Sequence, residues 1–180
     1  LQGDWSSDVC SSDLGAEVMI WTHGAWLDVT KGFPSDFGPV KIGKNVWLPA
    51  RSIVLPNVTI GDNVVIGINS IVNRSLPGGC LAAGLPCKII KENMYPKKLD
   101  DEQITEMVES IISDWLELIK YKGVTRTVKI SYENNKIILN QGYEQTIYNI
   151  RDKTVKGEVN DVSEDLRDYL RRRGIKIYTD

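Results

Sequence analysis

From Ile42 onward the chain runs in units of six residues: IGKNVW, LPARSI, VLPNVT, IGDNVV, IGINSI and VNRSLP. The first positions are Ile42, Leu48, Val54, Ile60, Ile66 and Val72, an unbroken aliphatic series. The fifth are Val46, Ser52, Val58, Val64, Ser70 and Leu76, all small or apolar. A period of six fits neither an α-helix, at about 3.6 residues per turn, nor an alternating hairpin ladder. It fits a triangular coil in which each unit supplies one short strand, turns a corner and points an aliphatic inward. Three units then close a turn, so Ile42 is expected below Ile60, Leu48 below Ile66 and Val54 below Val72. Gly43, Gly61 and Gly67 at second positions, with Asn near the corners, read as residues that accept strained corner dihedrals.

Between His23 and Val40 the period breaks. The intervening GAWLDVTKGFPSDFGP is rich in Gly, Pro and Asp, which predicts a loop thrown out of the coil. Its aromatics Trp26, Phe33 and Phe37 either pack the loop back onto the coil or roof a pocket, and the sequence leaves both open. His23 is the only histidine in the chain. It follows the strand-like VMIWT and opens the loop, so its side chain is expected outside the coil wall. A neutral imidazole, whose reference pKa is about 6.5, is the usual side chain for taking a proton near neutral pH.

The second half obeys a different pattern. LDDEQITEMVESIISDWLELIKYKG carries Ile104, Met107, Val108, Ile111, Ile112, Trp115, Leu118 and Ile119 at the three-and-four spacing of an amphipathic helix. Asp100 with Gln103 predicts a capping box, and Gly123 a C-terminal stop. RTVKISY and KIILN, joined by ENN, predict a hairpin. EQTIYNI and TVKGEV are expected to add strands, SEDLRDYLRRRG a short helix, and IKIYT a last strand. Arg171 to Arg173 fall in the last turn of that helix, where the dipole favours positive charge. They are therefore read as a solvated terminus rather than a nucleic-acid contact.

The start of the chain fits neither pattern. DWSSDVCSSDL, residues 4 to 14, has no periodicity, and without a basic start or apolar centre it is not a signal peptide. Read back into DNA, it resembles a sequencing adapter translated in frame. Residues 1–14 are therefore expected to be an artefact and the coil to be N-terminally truncated. Without Asp4, Asp8 and Asp13 the formal charge moves from −2 to +1, which points to neither nucleic acid nor an acidic partner. No apolar run is long enough to span a membrane. Cys80 and Cys87, the two cysteines outside the leader, are too few for a disulfide framework and read as small apolar filler in a reduced, cytoplasmic protein.

The repeats, the Thr22–His23 pair ahead of a loop, NVW at 45–47 and the closing GLPCKII resemble the hexapeptide-repeat acyltransferases. Within them the resemblance is to the galactoside, maltose and serine acetyltransferases. It covers about residues 15–92 and implies a mainly β fold, a left-handed parallel β-helix, followed over 93–180 by a small α+β domain of unknown role. It also implies an acetyl-CoA-dependent O-acetyltransferase acting on a sugar or polysaccharide precursor, with N-acetylation of an amino sugar as a variant. By the same resemblance His23 is the general base and Trp47 lies at the acyl-CoA groove, where an aromatic on a coil face has mere packing as its alternative. The amide of Ala50 faces the thioester oxygen and the backbone near Ile68 contacts pantetheine. Asn73 and Arg74 stand where the family often has Thr-Lys, and Lys91 is a partner for the 3′-phosphate; surface charge is the alternative for both basic residues. The family further implies a homotrimer with sites shared between subunits, and no metal. Pro49 departs from the pattern, standing where Gly usually follows VWL. Two other readings compete. A β-helical carbonic anhydrase-like lyase needs three histidines on one zinc, and His23 is badly placed for that. A non-catalytic truncated scaffold with a partner-binding C-terminal domain also accommodates the sequence.

Overall fold

The computed structural model describes residues 13–25, 27–124 and 127–178. Trp5, Cys10 and Trp26, and residues 1–12 of the expected artefactual leader 1–14, lie outside the described residues. The chain divides into two compact units, Leu1–Lys98 and Leu99–Asp180. The division falls later than residue 92 for a local reason. The amides of Met94 and Tyr95 donate to the Gly79 carbonyl at 2.6 and 3.1 Å, which ties them to the first unit.

The first unit is built almost entirely from two-residue strands. They are β1 (Asp13–Leu14), β2 (Met19–Ile20), β3 (His23–Gly24), β4 (Asp36–Phe37), β5 (Lys41–Ile42) and β6 (Trp47–Leu48). β7 (Ile53–Val54), β8 (Thr59–Ile60), β9 (Val65–Ile66), β10 (Ile71–Val72), β11 (Leu81–Ala83) and β12 (Lys88–Lys91) follow. Three parallel ladders form the sides: β1-β6-β9-β11, then β2-β7-β10, then β5-β8 continued by a bridge from Ile60 to Leu76. β12 folds back antiparallel on β11. Ile42 pairs with Ile60, Val54 with Val72, and Trp47 with Val65, which sets Leu48 beneath Ile66. Each step is three hexads, as the spacing predicts.

First-position side chains fill the interior. Leu48, Val54, Ile60, Ile66 and Val72 are essentially fully buried, and Ile42 is partly buried against them. Each of the five fully buried side chains contributes about 1.5–3 kcal/mol by leaving water. Val46, Ser52, Val58, Val64 and Ser70 line the same interior from fifth positions. Two departures alter the register. Asp13 and Leu14, which the sequence reading sets aside with the leader, form a rung with Trp47 and Leu48. The sixth unit, VNRSLP, is shortened: Val72 lies over Val54, yet Leu76 already lies over Ile60. Leu76 is thus a first-position residue, and Cys80, whose carbonyl receives the Val65 amide, becomes a fifth-position one. Cys80 and Cys87 are both buried in this core as free thiols, and desolvation raises the pKa of each.

The second unit contains helix α1 (Asp101–Tyr121), strands β13 (Lys129–Glu133), β14 (Lys136–Gln141), β15 (Glu144–Asn149) and β16 (Thr154–Gly157), and helix α2 (Asp161–Arg172). The strands form an antiparallel meander in sequence order. Asn134 and Asn135, both at positive φ, make its first turn. The capping box of Asp100 and Gln103 is formed. Val108, Ile112, Trp115 and Ile119 of α1 are buried with Ile137, Leu139, Tyr148, Leu166 and Leu170. The expected last strand is reduced to one bridge, between Thr154 and Tyr178. Arg171 and Arg172 pair with Asp168, and Arg173 approaches Asp114 and lies over the Tyr169 ring.

Candidate active site

The ladder registers locate the interruption. Below the loop Asp13 pairs with Trp47 and Met19 with Ile53; above it Lys41 pairs with Thr59. The lower offset exceeds the regular one by the length of His23–Gly38, so the excursion begins at His23 itself. Its base is closed by the Gly38 amide, which donates to the Thr22 carbonyl at 2.9 Å. β3 and β4 form the stem, with His23 opposite Phe37 and Gly24 opposite Asp36. At the tip a short 3-10 turn, Val29–Lys31, is capped by Asp28 and ended by Gly32 at φ 78°. The Thr30 hydroxyl and amide both donate to Asp28, and these bonds hold its carboxyl below the usual range.

The imidazole of His23 is exposed, as its position at the start of the loop predicts. Its ring stacks on that of Phe37, with centroids 5.8 Å apart and planes at 20°. The Thr22 hydroxyl lies 3.4 Å from Nδ1, a long contact. Beneath the stem, the Asn57 carboxamide donates from Nδ2 to Asp36 Oδ1 at 2.6 Å and to the Phe37 carbonyl at 3.2 Å. Asn57, like its partner Asp36, is a participant that the sequence reading does not single out. Its signal there is faint, an Asn at a fourth hexad position like Asn45, Asn63 and Asn69.

The other predicted residues fall into two groups. Trp47 stands outward on β6, half-exposed, on the side that also carries β12 and Lys91. Ala50 and Ile68 follow that side at its corner in successive turns, linked by the Asn69 amide donating to the Ala50 carbonyl at 3.1 Å. Ile68 is 70% exposed. Trp47, Ala50, Ile68 and Lys91 therefore share one side and its edge. Asn73 and Arg74 are exposed at the shortened corner between β10 and Leu76. That is the edge from which the His23 loop also departs, further down the coil. Within one chain, His23 and the Trp47 group lie on different edges.

Among the described residues no group of three or more His, Cys, Asp or Glu is placed to hold a metal ion. A groove of about 700 Å³ runs along α2 and is lined by Glu164, Asp165, Arg167, Asp168 and Arg171. Those charges are committed to one another and to Trp115 and Lys122, so no convergent reactive set is left there.

Residues 39–74 match the bacterial transferase hexapeptide family, described as six repeats. Over 54 residues the chain is 50% identical to galactoside O-acetyltransferase of Escherichia coli (strain K12), covering 30% of this chain and 27% of that protein. Over 70 residues it is 44% identical to a putative acetyltransferase of Staphylococcus aureus (strain COL), covering 37% and 35%. A solved galactoside acetyltransferase in complex with coenzyme A aligns at 33% identity over 51% of this chain and 50% of that one, with a TM-score of 0.43. The chain spans 27% and 35% of the length of these two curated relatives. The repeats of the coiled unit are thus similar to those of the hexapeptide-repeat transferases.

Proposed function

We propose that the coil is the left-handed β-helix of an acetyl-CoA-dependent acetyltransferase, moving an acetyl group to a hydroxyl of a sugar-like acceptor. One observation carries the reading: the coil register is interrupted at His23, which sets the chain's only imidazole outside the wall on a braced loop. The likeness to a protein named galactoside O-acetyltransferase supports the reaction class. In this reading the neutral imidazole takes the acceptor's hydroxyl proton as its oxygen bonds to the acetyl carbon. The Ala50 amide faces the oxyanion as it forms, the carbon–sulfur bond breaks, and the leaving sulfur takes the proton from the imidazolium, so that coenzyme A departs as the thiol. Trp47 and Ile68 flank the pantetheine arm, while Lys91, Asn73 and Arg74 lie toward the phosphates.

The separation of His23 from the Trp47 group supports a site shared between subunits of a homotrimer. A neighbouring copy would bring its Trp47 side against the His23 loop. No helix of the described residues is long and apolar enough to cross a membrane; the free thiols Cys80 and Cys87 are what support a reducing, cytoplasmic location.

The test is acetyl transfer from acetyl-CoA to simple galactosides, with glucosamine as the amine alternative. His23→Ala should lower turnover by about 10²–10⁴-fold, the range for loss of a positioned base, and leave the KM for acetyl-CoA nearly unchanged. Lys91→Ala should do the reverse. Near-normal turnover in a folded His23→Ala protein would overturn the mechanism, and a parent protein inactive on every acceptor would favour the scaffold reading.

A further inference from the structure

Corner residues of the coil adopt left-handed backbone in regular order: Asn45, Arg51, Asn57, Asn63 and Asn69 have φ of 55°, 61°, 62°, 59° and 57°. Asn is the side chain that most readily enters this region, so its presence at a corner needs no functional explanation. What its carboxamide does there is a separate matter. Asn45 donates to Asn63 at 3.0 Å, binding one turn of the coil to the next. Asn57 instead reaches out of the coil to Asp36 and the Phe37 carbonyl on the returning strand of the loop. Room for this contact is made by Gly38, where an added Cβ would collide with the Asn57 carboxamide.

Phe37 is thereby fixed at its backbone from two directions. Asn57 holds its carbonyl, and the next amide, that of Gly38, is bound to Thr22. Its ring is what lies against His23. An exposed imidazole with only a long contact to Thr22 is otherwise free to turn about both side-chain torsions. A stacked ring anchored to a rigid corner removes that freedom and presents one edge to solvent. We propose that Asn57 is a positioning residue for His23, acting through Asp36 and the Phe37 ring to fix the imidazole. The kinetic consequence rests on the acetyl-transfer reading above, whereas the latch itself does not.

The single histidine makes the test direct, because its ring protons are the only imidazole signals in the protein's NMR spectrum. A stacked Phe37 displaces them by its ring current. Asn57→Gly keeps the left-handed corner at no steric cost and removes only the carboxamide. Asp36→Ala removes the acceptor from the loop side, away from the coil core. Both should shift the His23 ring signals toward those of a free imidazole, as should Phe37→Leu, while Phe37→Tyr keeps them in place. In the transfer assay Asn57→Gly and Asp36→Ala should lower kcat by about 10–100-fold, the scale of a misplaced reacting group, with the KM for acetyl-CoA unchanged. Phe37→Tyr should retain activity that Phe37→Leu loses.

His23 signals that stay in place in Asn57→Gly and in Asp36→Ala, with circular dichroism and thermal midpoint unaltered, would overturn the latch. So would an unchanged kcat in both variants of an enzyme that His23→Ala inactivates. A parent protein with no transferase activity whose His23 signals nonetheless respond would refute the functional reading and leave the latch standing.

Discussion

Gly61 and Asn63 stand two residues apart in one hexad and answer to different constraints. Asn63 carries the left-handed corner, whereas Gly61 has no positive φ. A Cβ on Gly61 would lie 2.5 Å from the Gly78 amide nitrogen in the next turn. The second-position glycines thus record how closely the turns stack, and the expectation that they relieve corner strain holds only for the asparagines. Gly61→Ala should accordingly destabilise the coil by about 1–3 kcal/mol, as overpacking does. At the left-handed corner of Asn69, Gly should be nearly neutral and Ala should cost about 1–2 kcal/mol. Urea midpoints of the three variants check the order. Tyr148 answers to a third constraint. Burial holds its phenol well above the usual tyrosine range, with the hydroxyl donating to the Ser163 carbonyl at 2.6 Å. The unfolded phenol ionises near pH 10, while the folded one keeps its proton. Its contribution to stability is therefore complete below that pH and lost as pH rises above it. Tyr148→Phe should cost about 1 kcal/mol at neutral pH and flatten the alkaline loss, read from unfolding between about pH 8 and pH 11.

At the scale of elements, the sequence was most legible where one period fixes burial. Six-residue spacing puts every first position inside, so the three ladders and their register follow from Ile42 to Val72 directly. Helix α1 was legible for the same reason, reinforced by its cap, although Met107 in the predicted stripe is half-exposed. Legibility fails where two registers bury the same residues. Leu76 is inside whether VNRSLP is a full unit or a shortened one, so its apolar pattern carries no trace of the missing length. It fails again at IKIYT, where Ile177 packs into the core without joining a ladder. Strand-forming residues there satisfy burial rather than pairing. The candidate site was half legible. His23 and the loop show in the broken period, but the Asn57 latch joins residues whose proximity exists only once the turns are stacked.

For the molecule as a whole, the two units bury separate sets of residues: Val46 to Cys87 in one, Val108 to Ile177 in the other. Among the described residues no side chain belongs to both cores. Damage confined to one should therefore be readable against the other as an internal control. Ile60 is the suitable target, because it is almost fully buried, pairs with Ile42 below and bridges to Leu76 above. Ile60→Asp forces a carboxylate into that stack with no partner, at a cost of several kcal/mol, comparable to the whole stability of a small domain. Hydrogen exchange followed by mass spectrometry resolves the outcome by segment. Amides from Ile42 to Lys91 should lose protection. Those of α1, the β13–β16 meander and α2 should keep it, with Trp115 still buried against Asp165. Loss of protection throughout would show that the second unit depends on the coil for its fold, and independent cores would then be the wrong description of this chain.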